Sequence, residues 1–335
     1  MKKLKIFMII IDLCIAICFF IFYGPFDYVK NTIISTAMVT KTHQYIAYTF
    51  YTENTVKNVL SENSYIKLTD DVDLDDIVFS NKIPTKFDNE YEKAILQREK
   101  EDEYKYIPIK VGGYEAHLVA IYDPSKVELI TSASFNTSSG NAAESILEMC
   151  KRSGGEVCVN GGMFSDPDGW GSDIPQGYLI KDNEVIWDDN DYKQDLIGFT
   201  DDNKLLLTHA TAEEAVEAGM RDGLQFGPFL IVNGQSIKFN SSAGGYDRAA
   251  RVAIAQRKDG IVLFLVTEGV HTKGPNLKEV VDTLNLYGAY NAANLDGGTS
   301  AQLVMNNKLI NTPVNVFGKE IKGGRSVVSG FGYIR

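Results

Sequence analysis

The strongest pattern along the chain is an apolar run near the amino terminus. Residues 6–23 are almost entirely apolar, with Asp12 as the one charge, and three of the first five residues are lysines. Eighteen helical residues rise roughly 27 Å, enough to cross the hydrocarbon of a bilayer. Since positive charges beside a span stay in the cytoplasm, we predict a membrane anchor over residues 1–24 with a cytoplasmic amino terminus.

A cleaved signal peptide is the alternative interpretation of this run. It requires small residues soon after the apolar stretch, whereas Gly24-Pro25-Phe26-Asp27 is bulky and turn-like. Ser35 and Ala37 are small but lie late. We therefore predict an uncleaved, single-pass protein of the cell membrane whose carboxy-terminal domain is extracellular.

Between the anchor and residue 105 the pattern changes twice. Residues 32–62 carry spaced apolar side chains without Gly or Pro, which predicts a helical neck over residues 25–62. Residues 62–103 hold 13 acidic and 6 basic side chains, a net charge of −7, typical of a solvated face or linker, here 63–105.

From residue 106 to 335 short apolar runs alternate with Gly-, Asn- and Asp-rich turns, which predicts an α+β (mixed α/β) domain with mixed sheets and packed helices. Helices are predicted after the caps Asn141 (ending at Cys150), Thr211 and Asn276 (ending before Gly288). Strands are predicted at 116–122, 127–131, 156–160, 177–181, 205–208, 229–232, 236–239, 252–256, 261–266 and 290–295.

Composition and charge narrow the function. With 44% hydrophobic and 23% charged residues the chain is an ordinary globular protein, and its net charge is −11. No basic stripe is available to follow a phosphate backbone, so nucleic acid is not predicted as a partner.

Two of the four cysteines, Cys14 and Cys18, fall inside the apolar run. Cys150 and Cys158 flank a short loop, and an exported domain permits a disulfide between them. Two small buried apolar side chains are an equally good interpretation, so the pairing stays open.

Candidate chemistry lies in four Gly- and Asx-rich segments next to predicted strands. Loops on a rigid scaffold commonly carry function, and paired glycines expose backbone amides that hold anions. The segments are 160–166, 174–177, 225–228 and 294–300, and the last combines the carboxylate of Asp296 with two glycines and two hydroxyls.

Two charged residues belong to the same rim. Arg251 precedes the strand 252–256 and Glu268 follows the strand ending at Thr267. If the two strands form a hairpin, both charges lie at one edge of the sheet. An ordinary structural ion-pair role for Arg251 is the alternative.

At these residues the chain resembles the phosphodiester glycosidase domain, which bacterial exopolysaccharide-associated and membrane-anchored proteins carry. The resemblance spans about residues 106–335 and implies hydrolysis of the bond between a sugar's anomeric carbon and a phosphodiester oxygen. The ordered segments are Asn160-Gly161-Gly162-Met163-Phe164, Phe226-Gly227-Pro228 with Asn233-Gly234, Arg251-Val252-Ala253-Ile254-Ala255-Gln256, and Asn294-Leu295-Asp296-Gly297-Gly298-Thr299-Ser300.

The chain departs from the family pattern at identifiable places. Glu268-Gly269-Val270 stands where the family usually has Asp-Gly-Arg, so the acid is longer and an arginine is missing. Thr299 replaces a serine and keeps the hydroxyl, and Gly324-Arg325 keeps part of a Gly-Glu-Arg segment.

The implied chemistry passes through an oxocarbenium-like transition state, which needs one carboxylate near the anomeric carbon and a second group for protons. We assign Asp296, Glu268 and Arg251 as catalytic candidates. The substrate-binding candidates are Asn160, Gly161, Gly162, Asp166, Gln176, Gly297, Gly298, Thr299, Ser300 and Arg325. Trp170 and Tyr178 are candidates for stacking on sugar, with buried packing as the alternative.

The predicted partners are the membrane and a carbohydrate phosphodiester or polysaccharide of the cell envelope or exopolysaccharide. No cofactor follows from the sequence, and a divalent cation at Asp166, Asp296 or Glu268 stays open because oxygen-rich loops attract hard cations. A non-catalytic carbohydrate-binding module and an envelope-assembly scaffold are the alternative functions on this fold.

Overall fold

The computed structural model describes residues 2–39, 44–62, 64–80, 82–133, 144–166, 174–240, 248–270, 273–315 and 317–335. Within these residues the chain forms two compact units. The smaller comprises the described parts of Met1–Tyr65 and Phe239–Asp247, and the larger those of Ile66–Lys238 and Arg248–Arg335.

The smaller unit is helical. Its helices are α1 (Lys2–Tyr23), α2 (Asp27–Val39), α3 (Gln44–Phe50) and α4 (Glu53–Glu62). Residues Lys3–Tyr23 are long and apolar enough to cross a membrane. Ile34, Ala47 and Val56 are buried in one apolar cluster, so the residues predicted to be helical between 25 and 62 form three short helices that pack on each other.

The elements of the larger unit follow the predicted alternation. The further helices are α5 (Glu90–Leu96), α6 (Ile146–Arg152), α7 (Ala212–Glu217) and α8 (Leu277–Leu286). The strands, with β1 and β13 at the unit boundaries, are β1 (Tyr65–Ile66), β2 (Tyr104–Val111), β3 (Tyr114–Ile121), β4 (Val127–Thr131), β5 (Gly155–Asn160), β6 (Tyr178–Lys181), β7 (Glu184–Asp188), β8 (Gln194–Thr200), β9 (Leu205–Ala210), β10 (Met220–Gln225), β11 (Phe229–Val232), β12 (Gln235–Ser236), β13 (Lys238–Phe239), β14 (Val252–Arg257), β15 (Val262–Thr267), β16 (Ala289–Leu295), β17 (Leu303–Met305), β18 (Lys308–Leu309) and β19 (Ser329–Ile334).

Three antiparallel sheets enclose the main core. The central sheet has seven strands in the order β12-β11-β16-β14-β15-β3-β2, and two five-stranded sheets have the orders β18-β17-β5-β19-β4 and β7-β6-β10-β8-β9. Phe264 of the central sheet, Phe331 and Phe199 come from different sheets and join one buried cluster. Every residue of β15 is buried, as its continuous apolar run predicts. The mixed α and β fold class is confirmed.

Local signals placed two of the three predicted helices correctly. Thr211 and Asn276 form capping boxes at α7 and α8, and Gly288 has the left-handed φ of 78° expected after α8. The cap predicted at Asn141 falls outside the described residues. The helix there begins at Ile146, because Ser145 forms the capping box with Glu148.

Other boundaries also moved. The predicted strand 236–239 is interrupted at Ile237, which leaves β12 and β13 as two short strands. In the acidic segment, Ile77 and Ile95 are buried, and Val78 N donates to the Lys258 carbonyl at 2.8 Å. Ile77 and Ile95 therefore pack within the larger unit, while Val78, Phe79 and many of the acidic side chains remain exposed.

A disulfide joins Cys150 at α6 to Cys158 in β5, with Cα atoms 5.9 Å apart. Both residues are also fully buried in a cluster with Ile146, Met149 and Val304. The two alternatives left open by the sequence thus hold together: the cysteines are bonded and packed.

We expect loss of this disulfide to destabilise the larger unit. Because the disulfide closes only a short loop in the unfolded chain, replacing both cysteines by alanine lowers the free energy of unfolding by about 2.5 kcal/mol. Denaturant unfolding of the full chain in detergent, with and without reductant, measures this change. The matched control replaces Cys14 and Cys18, which are unbonded, and an equal effect of reductant on both variants would contradict the assignment.

Candidate functional site

Three neighbouring strands of the central sheet end at one rim. Val252 on β14 pairs with Leu295 on β16 and with Val266 on β15. Arg251, one residue before β14, therefore lies between Asp296 and the end of β15. The hairpin predicted from the sequence is confirmed, and it brings the three catalytic candidates to one edge.

The turn after β16 depends on glycine. A Cβ on Gly297 would lie 2.6 Å from the Ala250 carbonyl oxygen, and Gly298 has a φ of 58°. The Gly298 amide donates to the Ala250 carbonyl at 2.7 Å. The Gly297 amide bonds the Asp296 carboxylate. The amides predicted to hold an anion are thus already engaged inside the protein.

The carboxylate of Asp296 has a perturbed protonation equilibrium. Burial raises its pKa from 3.8 to about 6, and the negative charge of Asp166 acts in the same direction. Hydrogen bonds from Ser300 and the Gly297 amide, together with the charge of Arg325, act to lower the pKa but do not outweigh burial. A carboxylate with a pKa near neutrality in a loop at a sheet rim is typical of an acid–base site.

Asn160 ties this turn to the neighbouring five-stranded sheet. Its Nδ2 donates to the Asp296 carbonyl at 2.6 Å, and its Oδ1 accepts from the Gln302 amide at 2.9 Å. Only 1% of Asn160 is exposed. Asn160 was predicted to hold a sugar hydroxyl, but both ends of its amide are occupied by the backbone that shapes the site.

The two glycines after Asn160 allow close packing. The Gly161 carbonyl accepts from the Asp296 amide at 2.9 Å, and the Gly162 amide donates to Ser329 Oγ at 3.2 Å. A Cβ on Gly161 would lie 2.4 Å from Leu224 Cδ2. Glycine is therefore needed at position 161 so that this turn can pack against Leu224 on β10.

Arg325 joins two of the predicted loops. Its guanidinium forms an ion pair with Asp166 and donates to Thr299 Oγ1 at 2.9 Å. It also lies over the ring of Phe164, 5.2 Å from the centroid. The charge of Arg325 also acts on Asp296, where it lowers the pKa. Arg325 therefore places a fixed cation near the carboxylate whose pKa burial raises.

Glu268 lies on the other side of Arg251 and has partners that the sequence analysis missed. Its carboxylate contacts His117 Nε2 at 3.1 Å and accepts from the Thr312 amide at 3.0 Å. Tyr106 OH contacts His117 Nδ1 at 2.8 Å. The polar His117 within the apolar run of β3 was the available signal.

The remaining candidates take other positions. The Arg251 guanidinium Nε donates to the Pro275 carbonyl at 3.4 Å, before α8, and its backbone amide donates to Thr267 Oγ1. The Gln176 amide donates to the Met163 carbonyl at 3.0 Å, which keeps Gln176 next to the Gly161-Gly162 turn.

Of the two alternatives given for Tyr178, stacking on sugar and buried packing, the structure shows buried packing. The residue is fully buried, and its hydroxyl donates to backbone carbonyls of Asn190 and Tyr192. Trp170 lies outside the described residues.

A metal centre has no matching ligand set in the described part of the chain. No group of three or more His, Cys, Asp or Glu side chains there could hold an ion. Asp166 is paired with Arg325, and Glu268 is bonded to His117 and Thr312.

A surface cavity of about 470 Å³ lies at the opposite end of β14 and β15, next to Tyr122 and Asp259, and is lined by none of the site candidates.

The chain is similar in sequence and in fold to several known proteins. A curated relative, the SPbeta prophage-derived uncharacterized protein YomE of Bacillus subtilis strain 168, is 28% identical over 198 residues. The match covers 57% of this chain and 30% of that protein, so the chain corresponds to less than a third of its length.

A solved structure shares the fold. The catalytic domain of zebrafish N-acetylglucosamine-1-phosphodiester alpha-N-acetylglucosaminidase, auto-inhibited by its pro-peptide, superposes with a TM-score of 0.58 at 20% identity. The match covers 69% of this chain and 82% of that one.

The family model named phosphodiester glycosidase matches residues 153–334, which is 182 of the 335 residues and includes most of the site described above. The chain belongs to the phosphodiester glycosidase family.

Proposed function

We propose that the protein is a glycosidase that hydrolyses the anomeric carbon–oxygen bond of a sugar-1-phosphate diester. The observation that carries the proposal is the Asp296 carboxylate, whose pKa is raised to about 6, with the cation of Arg325 beside it. A carboxylate stabilises the positive charge that develops on the anomeric carbon, and a cation stabilises the departing phosphate.

In the proposed reaction, water attacks the anomeric carbon and the bond from that carbon to the phosphate oxygen breaks. The sugar gains the hydroxyl, and the phosphate ester leaves with the electron pair of the broken bond. Asp296 faces the developing oxocarbenium ion, and Glu268 accepts the proton of the attacking water. Asn160 keeps the Asp296 turn in place through its bond to the Asp296 carbonyl.

Charge neutralisation matters more than protonation for this leaving group. A phosphate ester is a weak base, so strong general-acid help is not required. Arg325 is fixed by Asp166 and Thr299, and its planar guanidinium has five N–H donors that match phosphate oxygens. We assign the phosphate subsite to Arg325, and Gln176 to sugar hydroxyls or an acetamido group.

We further propose that the enzyme works outside the cell, held in the membrane by α1, on phosphodiester-linked sugars of the cell envelope or exopolysaccharide. The three lysines before the apolar helix support a cytoplasmic amino terminus. The disulfide between Cys150 and Cys158 supports an oxidising compartment for the larger unit.

We expect the Asp296→Asn variant to lose turnover. The substrate is N-acetylglucosamine-1-phosphate esterified with p-nitrophenol, and alkaline phosphatase converts the released nitrophenyl phosphate to a coloured product. Removing the carboxylate lowers kcat/KM by on the order of a hundredfold or more. The matched control is Asp282→Asn, an exposed carboxylate on α8.

Isotope labelling identifies the bond that breaks. In ¹⁸O-labelled water the label enters the free sugar if the anomeric carbon–oxygen bond is cleaved, and the nitrophenyl phosphate if a phosphorus–oxygen bond is cleaved. Label in the phosphate would contradict the proposal. Binding of sugar-1-phosphodiesters without turnover across a panel of sugars would replace it by a carbohydrate-binding function.

The raised pKa of Asp296 predicts opposite effects of pH on activity and stability. If the ionised form reacts, kcat/KM falls about tenfold per pH unit below about pH 6. Folding disfavours the ionised form of Asp296, so ionisation of this carboxylate lowers the free energy of unfolding. The destabilisation is complete above about pH 6 and absent below the unfolded pKa of 3.8.

Asp296→Asn therefore stabilises the protein at pH 8, by on the order of 3 kcal/mol, and has little effect at pH 3.5. Denaturant unfolding at both pH values measures the difference, with Asp282→Asn as control. Equal effects of Asp296→Asn at the two pH values would show that burial does not govern this carboxylate.

A further inference from the structure

The carboxylate of Glu268 is fixed by donors from two separate elements. The Thr312 amide reaches its two oxygens at 3.0 and 3.2 Å, and His117 Nε2 on β3 lies 3.1 Å from Oε1. Its side chain keeps 27% of its surface exposed. A carboxylate that is oriented from behind and open in front has the geometry of a base that approaches a ligand.

His117 is in turn fixed by Tyr106. The strand registers pair His117 with Pro108 on β2 and with Val266 on β15. Tyr106 and Glu268 are each two residues from those partners, so the three side chains form a diagonal across one face of the sheet. The Tyr106 and His117 rings are nearly parallel, at 18°, with centroids 6.0 Å apart.

One neutral tautomer of His117 satisfies both of its contacts. With the imidazole proton on Nε2, Nε2 donates to Glu268 and Nδ1 accepts from the Tyr106 hydroxyl. Burial raises the pKa of Tyr106, and the negative charges of Glu268 and Glu115 raise it further, so the phenol keeps the proton that this arrangement requires. Glu115 on the same strand is paired with Lys110 at 3.2 Å, which places a balanced ion pair beside the diagonal.

We propose that His117 is the positioning residue of Glu268 and that Tyr106 fixes its tautomer. The inference rests on the proposed function, in which Glu268 accepts the proton of the attacking water. His117 does not touch the substrate: it holds the carboxylate at the angle from which it reaches that water. A glutamate side chain has one more rotatable bond than an aspartate, so Glu268 needs this second support to hold its carboxylate at one angle.

The test combines single and double variants of the full chain in detergent, assayed on the nitrophenyl phosphodiester of N-acetylglucosamine. Glu268→Gln lowers kcat by on the order of a hundredfold, and His117→Ala by about tenfold or more, with KM changed by less than about twofold. His117→Gln retains most of kcat because a carboxamide N–H still donates to Glu268. The kcat of Tyr106→Phe lies between those of His117→Ala and His117→Gln.

A double-mutant cycle separates positioning from general destabilisation. If His117 acts through Glu268, adding His117→Ala to Glu268→Gln lowers kcat by no more than about twofold further. A purely structural contribution of His117 would multiply the two losses. Should His117→Ala fail to fold in thermal melts, Tyr106→Phe carries the same cycle, because it is expected to lower kcat while keeping the imidazole.

The matched control is His209→Ala. His209 Nδ1 lies 2.8 Å from Asp195 Oδ1 across β8 and β9, which is a pair of the same chemistry in a different sheet. Its removal leaves kcat unchanged. An unchanged kcat in His117→Ala, or multiplied losses in the cycle, would overturn the inference alone. An inactive wild-type protein would overturn the proposed function and the inference with it.

Discussion

The site depends on the hydrogen bonds that join two turns from different sheets. The Asp296 amide donates to the Gly161 carbonyl, and Asn160 donates to the Asp296 carbonyl. These bonds satisfy buried backbone groups that would otherwise cost free energy on folding, and they fix the turn that carries the carboxylate. The absence of side chains at Gly161 and Gly297 lets the two turns pack closely on Leu224 and on the Ala250 carbonyl, respectively. The electrostatics of Asp296 follow from it, because the joined turns bury the carboxyl group.

The burial that raises the pKa of Asp296 also lowers the stability of the folded protein at neutral pH. An ordinary aspartate in water would be fully ionised at neutral pH at no energetic cost, whereas this one is held where its charge is disfavoured. Arg325 offsets part of that cost and is itself held by Asp166. The same arrangement brings a cation near the carboxylate, so the group that limits the destabilisation is also the one to which we assign the proposed phosphate subsite.

Much of this organisation is readable in the sequence, and the failures have physical causes. The apolar run of β15 and the capping boxes at Thr211 and Asn276 are local signals, so they placed their elements well. The contact between His117 and Glu268 joins residues 151 positions apart and depends on the register between β3 and β15, which no local pattern encodes. The use of Asn160 was also invisible, because a side-chain amide serves a ligand or a backbone equally well by composition.

The order of strands in the sheet that carries Asn160 has a consequence for how the protein reaches its native state. β19 follows every other described strand along the chain, yet it lies between β5 and β4, and Ser329 pairs with Thr131 across 198 positions. Such distant pairing makes folding slow, because the entropy of closing the loop is lost before the contacts are gained. Until β19 arrives, the facing edges of β4 and β5 offer unpaired backbone groups that invite association with other chains. This sheet is therefore the part of the larger unit that most needs protection from association while the chain folds.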